Sequence, residues 1–162
     1  MNETQLVGTH PIDEDVSVAG ELSPEQLQQA SQQGFKSVIN LRMPKEKGFL
    51  PDEPQIVESL GMQYAHIPVN PSSLSGELVA QVSEQIDQLP KPVLMHCSLG
   101  LRSAGIGLLR AGIDQGMTAE EFLQRTEAMG LNFNDRPGVK QFFVDYITQH
   151  LEQLGEPNDE HE

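Results

Sequence analysis

The sequence predicts an α/β domain: three layers, α/β/α, around a mostly parallel sheet of four or five strands. Three observations carry that expectation. Apolar runs of strand length alternate with segments whose apolar residues recur at helical period. Strands that alternate with helices pair in parallel through crossovers and leave helices on both sheet faces. No internal repeat or dividing linker interrupts the pattern, so residues 1–162 read as a single domain with an acidic, flexible tail over 155–162.

The elements follow in order. Val16 to Ala19 reads as a first short strand. Ser23 caps a helix from Pro24 to Gln33, with Pro24 at its first position and Gly34 as its stop. Ser37 to Leu41 is a strand, Asp52 to Leu60 a helix ended by Gly61, and Gln63 to Pro68 a strand. Gly76 to Leu89 is a helix with Leu78, Val82, Ile86 and Leu89 on one face. Pro90-Lys91-Pro92 introduces a short buried strand, Val93 to Met95. Ser103 to Asp114 is helical, with Ile106, Leu108, Leu109 and Ile113 as its apolar positions. Thr118 and Glu121 form a capping box for the next helix. The last helix runs from about Pro137 to Leu154, and its Phe142, Phe143 and Tyr146 belong to the core or to an interface.

The chemistry concentrates between the Val93 strand and the helix after it, in His96-Cys97-Ser98-Leu99-Gly100-Leu101-Arg102-Ser103. A strand-loop-helix turn aims backbone N–H groups and a helix N-terminus at one spot, which suits an anion. Gly100 permits a backbone conformation other residues resist. Arg102 offers a planar fork of donors suited to an oxyanion. The same field predicts a nucleophilic sulfur on Cys97, the only cysteine. The Ser103 hydroxyl is placed either to cap the helix or to hydrogen-bond that sulfur.

Composition narrows the function classes. Ten Lys and Arg against 24 Asp and Glu give a formal net charge of −14, which argues against nucleic acid and anionic membranes as partners. No run is long and apolar enough to insert into a membrane. One cysteine allows no internal disulfide and suits a reducing compartment. Met1-Asn2-Glu3-Thr4 lacks the features of a signal peptide. The expected location is therefore cytoplasmic, with the periplasm requiring a leader already removed. His10, His150 and His161 show no metal-ligand spacing, and neither metal nor cofactor is expected. The oligomeric state is left open.

These motifs resemble the cysteine-dependent phosphatases, whose signature is a His-Cys-(five residues)-Arg-Ser/Thr turn. More closely, the chain is similar to the bacterial beta-lactamase-hydrolase-like phosphatase family, with its shortened His-Cys-x-x-Gly-x-Arg-Ser loop. The matching segments are 20–25, 34–42, 61–69 and 96–103, and the resemblance spans about residues 16 to 115. It implies a dual-specificity-phosphatase-like, cysteine-phosphatase-like fold. It also implies that Cys97 forms a phosphocysteine, that Arg102 clamps the phosphoryl oxygens, and that Ser103 helps the thiolate form and leave. The N–H groups of Ser98, Leu99, Gly100, Leu101 and Arg102 would line the cradle. The substrate would be a small anionic molecule or a phosphoprotein.

Two departures keep other readings open. The loop 68–75, where such phosphatases carry an aspartic acid, holds no acid; Asn70 stands near that place and can only hydrogen-bond. Glu77, Asp52 and Asp135 are substitutes that sequence does not rank. The loop has four residues between Cys97 and Arg102 rather than five, a length resembling the loops of rhodanese-type sulfurtransferases, which carry a persulfide on cysteine. A third reading is a non-catalytic oxyanion-binding module. Arg42, Lys45 and Lys47 follow a strand's carboxyl end, where parallel sheets bind ligands, and are expected to draw an anion in. His96 is expected to orient the loop through a backbone hydrogen bond, and His66 to be a satisfied strand histidine.

Overall fold

A computed structural model describes residues 8–155. The acidic segment 156–162 and His161 lie outside the described residues. Five strands form one sheet: β1 (Thr9–Pro11), β2 (Val16–Ala19), β3 (Ser37–Asn40), β4 (Gln63–His66) and β5 (Val93–His96). Their spatial order is β1-β2-β5-β3-β4. All neighbours pair in parallel except β1, which runs antiparallel to β2 with Thr9 opposite Ala19. This edge strand is three residues long and ends in a proline, so its sequence carries no strand signal.

Alternation along the strands separates two cores. Val93 and Met95 of β5, with Ile39 of β3 and Val16 and Val18 of β2, face one side. Leu94, Val38 and Ala19 face the other. Helices α1 (Pro24–Gln32) and α2 (Glu53–Ser59) cover the smaller core through Leu27, Ala30 and Val57. Helices α3 (Gly76–Gln88), α4 (Leu101–Gly112), α5 (Ala119–Ala128) and α6 (Pro137–Gly155) cover the larger one. This is the three-layer arrangement expected. The capping boxes at Ser23 and Thr118 both form. Among the described residues no helix is long and apolar enough to cross a membrane.

Helix α4 starts at Leu101, two residues earlier than expected. Its N-cap is Gly100 at φ 91°, with no side-chain cap, so Ser103 lies inside the first turn and does not cap. The helix is buried along almost its whole length because small residues let neighbours approach. A Cβ built on Gly105 would stand 2.4 Å from the Phe143 ring. That ring is held in a cluster with Phe122, Phe133 and Phe142. Gly105→Ala should therefore lower stability by about 1–3 kcal/mol, overpacking outweighing the gain in helix propensity. Chemical denaturation reads this directly, and a higher midpoint would refute the tight α4–α6 contact.

Candidate active site

Strand β5 lies in the middle of the sheet, so the loop leaving it is gripped from both sides. The Cys97 N–H donates to the Ala19 carbonyl at 3.2 Å, and the Glu21 N–H to the Ser98 carbonyl at 3.0 Å. On the other side the Leu41 N–H donates to the His96 carbonyl at 2.9 Å. The loop then curls around the sulfur. The Gly100 N–H points at Cys97 Sγ from 3.2 Å and the Ser103 N–H from 3.5 Å. Both are donors that stabilise negative charge on sulfur. Of the first α4 donors, Ser103 turns to the sulfur and Ala104 to the Gly100 carbonyl, which leaves those of Leu101 and Arg102 for an anion.

Ser103 Oγ lies 3.5 Å from Sγ, 2.9 Å from the Ala19 carbonyl and 3.3 Å from the Gly100 carbonyl. It has one proton, and the Ala19 carbonyl is the nearest acceptor. In that rotamer the hydroxyl oxygen faces the sulfur as an acceptor. It becomes a donor to the sulfur only by rotating away from a carbonyl.

The loop opens on a cavity of about 520 Å³, within the size range of small-molecule sites. Cys97, Ser98, Leu99, Leu101, Arg102 and Asn70 line it together. Cys97 itself is fully buried at its floor. Gly100 turns to the back of the loop, bordering a separate cavity. Asn70 is partly committed, its Oδ1 accepting the Ser72 N–H at 2.9 Å.

Arg42 corrects an expectation. Its side chain is 2% exposed, lies outside the cavity lining, and donates to the carbonyls of Lys47 and Gly48. It braces the β3–α2 loop and does not reach the cavity. Lys45 and Lys47 of that loop do line the cavity. None of Glu77, Asp52 and Asp135 reaches it. The carboxylate that does is Glu46, which sequence reading passed over. Its oxygens take the Arg102 fork in two bonds, Nη1–Oε2 at 2.8 Å and Nη2–Oε1 at 3.0 Å. Arg102 also donates to the Val69 carbonyl at 2.8 Å. Burial opposes charge on Arg102, but the Glu46 hydrogen bonds and the neighbouring Cys97 outweigh it and hold its pKa above the ordinary value. Burial likewise pushes Glu46 up, and its bonds from Arg102 and the Met43 N–H more than reverse this and depress it.

Glu46 therefore stabilises the fold as a carboxylate. Because its folded-state pKa is depressed, that contribution is complete above the unfolded value and disappears as pH falls through the folded one. We expect Glu46→Gln to cost about 1 kcal/mol near pH 7, discounted for partial exposure. The difference from wild type should vanish on acidification below the carboxylate range. Thermal melts across pH check this; a pH-independent difference would remove the charge as its cause.

Behind the loop, His96 departs from expectation. Its Nε2 lies 2.6 Å from Glu53 Oε2, both side chains almost fully buried, so its partner is a carboxylate on α2 and not backbone. Glu53 Oε1 faces Asn40 Nδ2 at 3.5 Å, and Asn40 Nδ2 reaches Tyr64 Oη at 3.1 Å. Burial, opposed by the Asn40 bond and aided by the Glu53 charge, pushes Tyr64 up to about 12. This network ties α2, β3 and β4 to the residue that precedes the sulfur. His66 is satisfied as expected, its Nε2 2.7 Å from the Arg42 carbonyl.

Comparison with known proteins identifies the family and similar folds. Residues 9–112 match the family described as beta-lactamase hydrolase-like protein, phosphatase-like domain. The beta-lactamase hydrolase-like protein of Agrobacterium fabrum is 28% identical over 106 residues, 64% of this chain and 25% of the relative. The chain thus spans about a quarter of the length of that relative. Among solved structures, a DUF442 protein from Shewanella putrefaciens CN-32 superposes with a TM-score of 0.72 at 24% identity, covering 88% of this chain and 91% of the other. TpbA of P. aeruginosa, solved in complex with pTyr, gives 0.72 at 12% identity over 93% and 94%. The core catalytic domain of the PP-IP phosphatase SIW14 from S. cerevisiae, solved with citrate, gives 0.69 at 14% over 90% and 91%.

Proposed function

Because the chain belongs to the phosphatase-like domain family of beta-lactamase hydrolase-like proteins, we propose that it hydrolyses phosphate monoesters through a phosphocysteine on Cys97. One observation carries this reading: the only sulfur in a thiol sits at the cavity floor, held by two backbone donors, with the Arg102 fork at the wall of the same cavity.

The sequence of bonds follows from that placement. Cys97 Sγ, as thiolate, attacks phosphorus; the S–P bond forms and the P–O bond to the leaving group breaks. Charge on the three equatorial oxygens is met by the N–H groups at the start of α4 and by Arg102. Rotation of the Ser103 hydroxyl towards Sγ stabilises the thiolate as leaving group in the second step. There water attacks phosphorus, the S–P bond breaks, and inorganic phosphate and the thiolate are released. The phosphate, while bound, competes with Glu46 for the Arg102 fork.

The proton for the leaving oxygen is the weak point of the machinery. Asn70 cannot supply it, and Glu46 is held ionised by Arg102. Aryl phosphates, whose leaving groups need little protonation, should therefore turn over about 10²–10⁴-fold faster than alkyl phosphates. The deciding experiment runs two assays on the wild-type protein: phosphate release from an aryl phosphate, and thiocyanate formation from thiosulfate and cyanide. Phosphate release without thiocyanate is the expected result. Thiocyanate without phosphate would overturn it in favour of sulfur transfer. Oxyanion binding with neither product would leave the cradle as a binding module.

A further inference from the structure

The charge around the cavity is the reverse of the charge on the molecule. The chain holds ten Lys and Arg against 24 Asp and Glu. Four of those ten cations, Lys45, Lys47, Arg102 and Arg136, line this cavity, against one carboxylate, Glu46. Glu46 pairs with Arg102, and the Arg42 Nε stands 3.7 Å from the same carboxylate, so a cation stays beside Glu46 when phosphate takes the Arg102 fork. Among the described residues no ion pair involves Lys45, Lys47 or Arg136. All three side chains are exposed, and they come from two unrelated segments, the β3–α2 loop and the turn before α6. The phosphoryl cradle is complete without them. Their charge is therefore surplus to the binding of one phosphoryl group.

We propose that the substrate is a small molecule carrying at least one further phosphate beside the reacting one, and that Lys45, Lys47 and Arg136 hold the phosphate that does not react. The proposal takes its reacting phosphate from the phosphomonoester reading of the same site. Two physical points favour a compact polyanion over a phosphoprotein. Lys45, Lys47 and Arg136 stand together on the cavity wall, and the net charge of −14 repels an extended acidic partner laid across the outer surface. A small polyanion keeps its charge inside the cationic patch. The cavity, at about 520 Å³, also has room beyond one phosphoryl group.

The test separates recognition from turnover. Phenyl phosphate and hydroquinone bisphosphate form a matched pair that differs by one distal phosphate. Calorimetry on Cys97→Ser reads binding alone, and wild-type phosphate release reads chemistry. We expect Cys97→Ser to bind the bisphosphate about tenfold tighter than the monophosphate at low salt, the preference shrinking as salt rises. Adding Lys45→Ala, Lys47→Ala and Arg136→Ala should reduce that preference to about twofold, the statistical value for two equivalent phosphates. If wild type turns over neither compound but the preference that depends on these three cations is measured, polyanion recognition stands and the phosphatase reading fails. If wild type turns over phenyl phosphate and Cys97→Ser binds both compounds within twofold, the polyphosphate inference is overturned and the phosphatase reading stands. A singly phosphorylated tyrosine peptide with neutral flanks that binds tighter than the bisphosphate would also overturn it, in favour of a phosphoprotein.

Discussion

Cys97→Ser should abolish phosphate release, with a fall in kcat of roughly 10⁴–10⁶-fold, the scale seen when a catalytic nucleophile is removed. A serine hydroxyl at this position has no base to take its proton: His96 is turned away into its bond with Glu53, and Glu46 is engaged with Arg102. The cradle itself is made of backbone donors and Arg102, so inorganic phosphate should still bind to the variant. That split, chemistry lost and binding retained, distinguishes a nucleophile from a residue that only shapes the loop. Acid quenching of wild-type turnover should also trap one phosphoryl group on the peptide containing Cys97. A variant that retains even a tenth of wild-type activity would place the nucleophile elsewhere.

Arg102→Lys should lower kcat about 10²–10³-fold, the typical cost of removing one donor aimed at the charge of a transition state. Lysine keeps the charge but loses the planar fork that meets two oxygens at once. The same fork is what Glu46 engages in two bonds, so the variant also loses the latch between α4 and the β3–α2 loop. The effect on KM should be smaller than that on kcat, because the backbone donors still bind the ground state. Steady-state kinetics with an aryl phosphate decide it; an unchanged kcat would remove Arg102 from the chemistry.

What sequence could show divides along the range of the interactions. The strand, loop and helix from Val93 to Leu109 were legible because each rests on residues a few positions apart. The start of α4 was misplaced by two residues because its N-cap is a left-handed glycine, while the cap-forming residue types drew attention to Ser103. The His96 partner could not be read, since Glu53 lies 43 positions away on a helix with its own reasons to carry acid. Glu46 was within reach: the rule that ligands gather beyond strand carboxyl ends pointed to the loop holding it, and selected the cations around it. The same rule points to Arg42 wrongly, because charge and position do not reveal that two carbonyls of its own loop bind it. Arg136 carried no local signal at all; only the fold brings the turn before α6 to the cavity.

The grip on the Cys97 loop from both flanking strands has a consequence for how such a site can diversify. The cradle is preorganised by main-chain bonds to Ala19, Glu21 and Leu41, none of which depends on side-chain identity. The cavity walls come from three other connections, 43–47, 70–72 and the turn at Arg136. Reactivity and selectivity are thereby assigned to separate parts of the chain. Glu46 excepted, because it holds the Arg102 fork, substitutions in the three wall segments should retune what enters while the main-chain cradle stays as the sheet sets it.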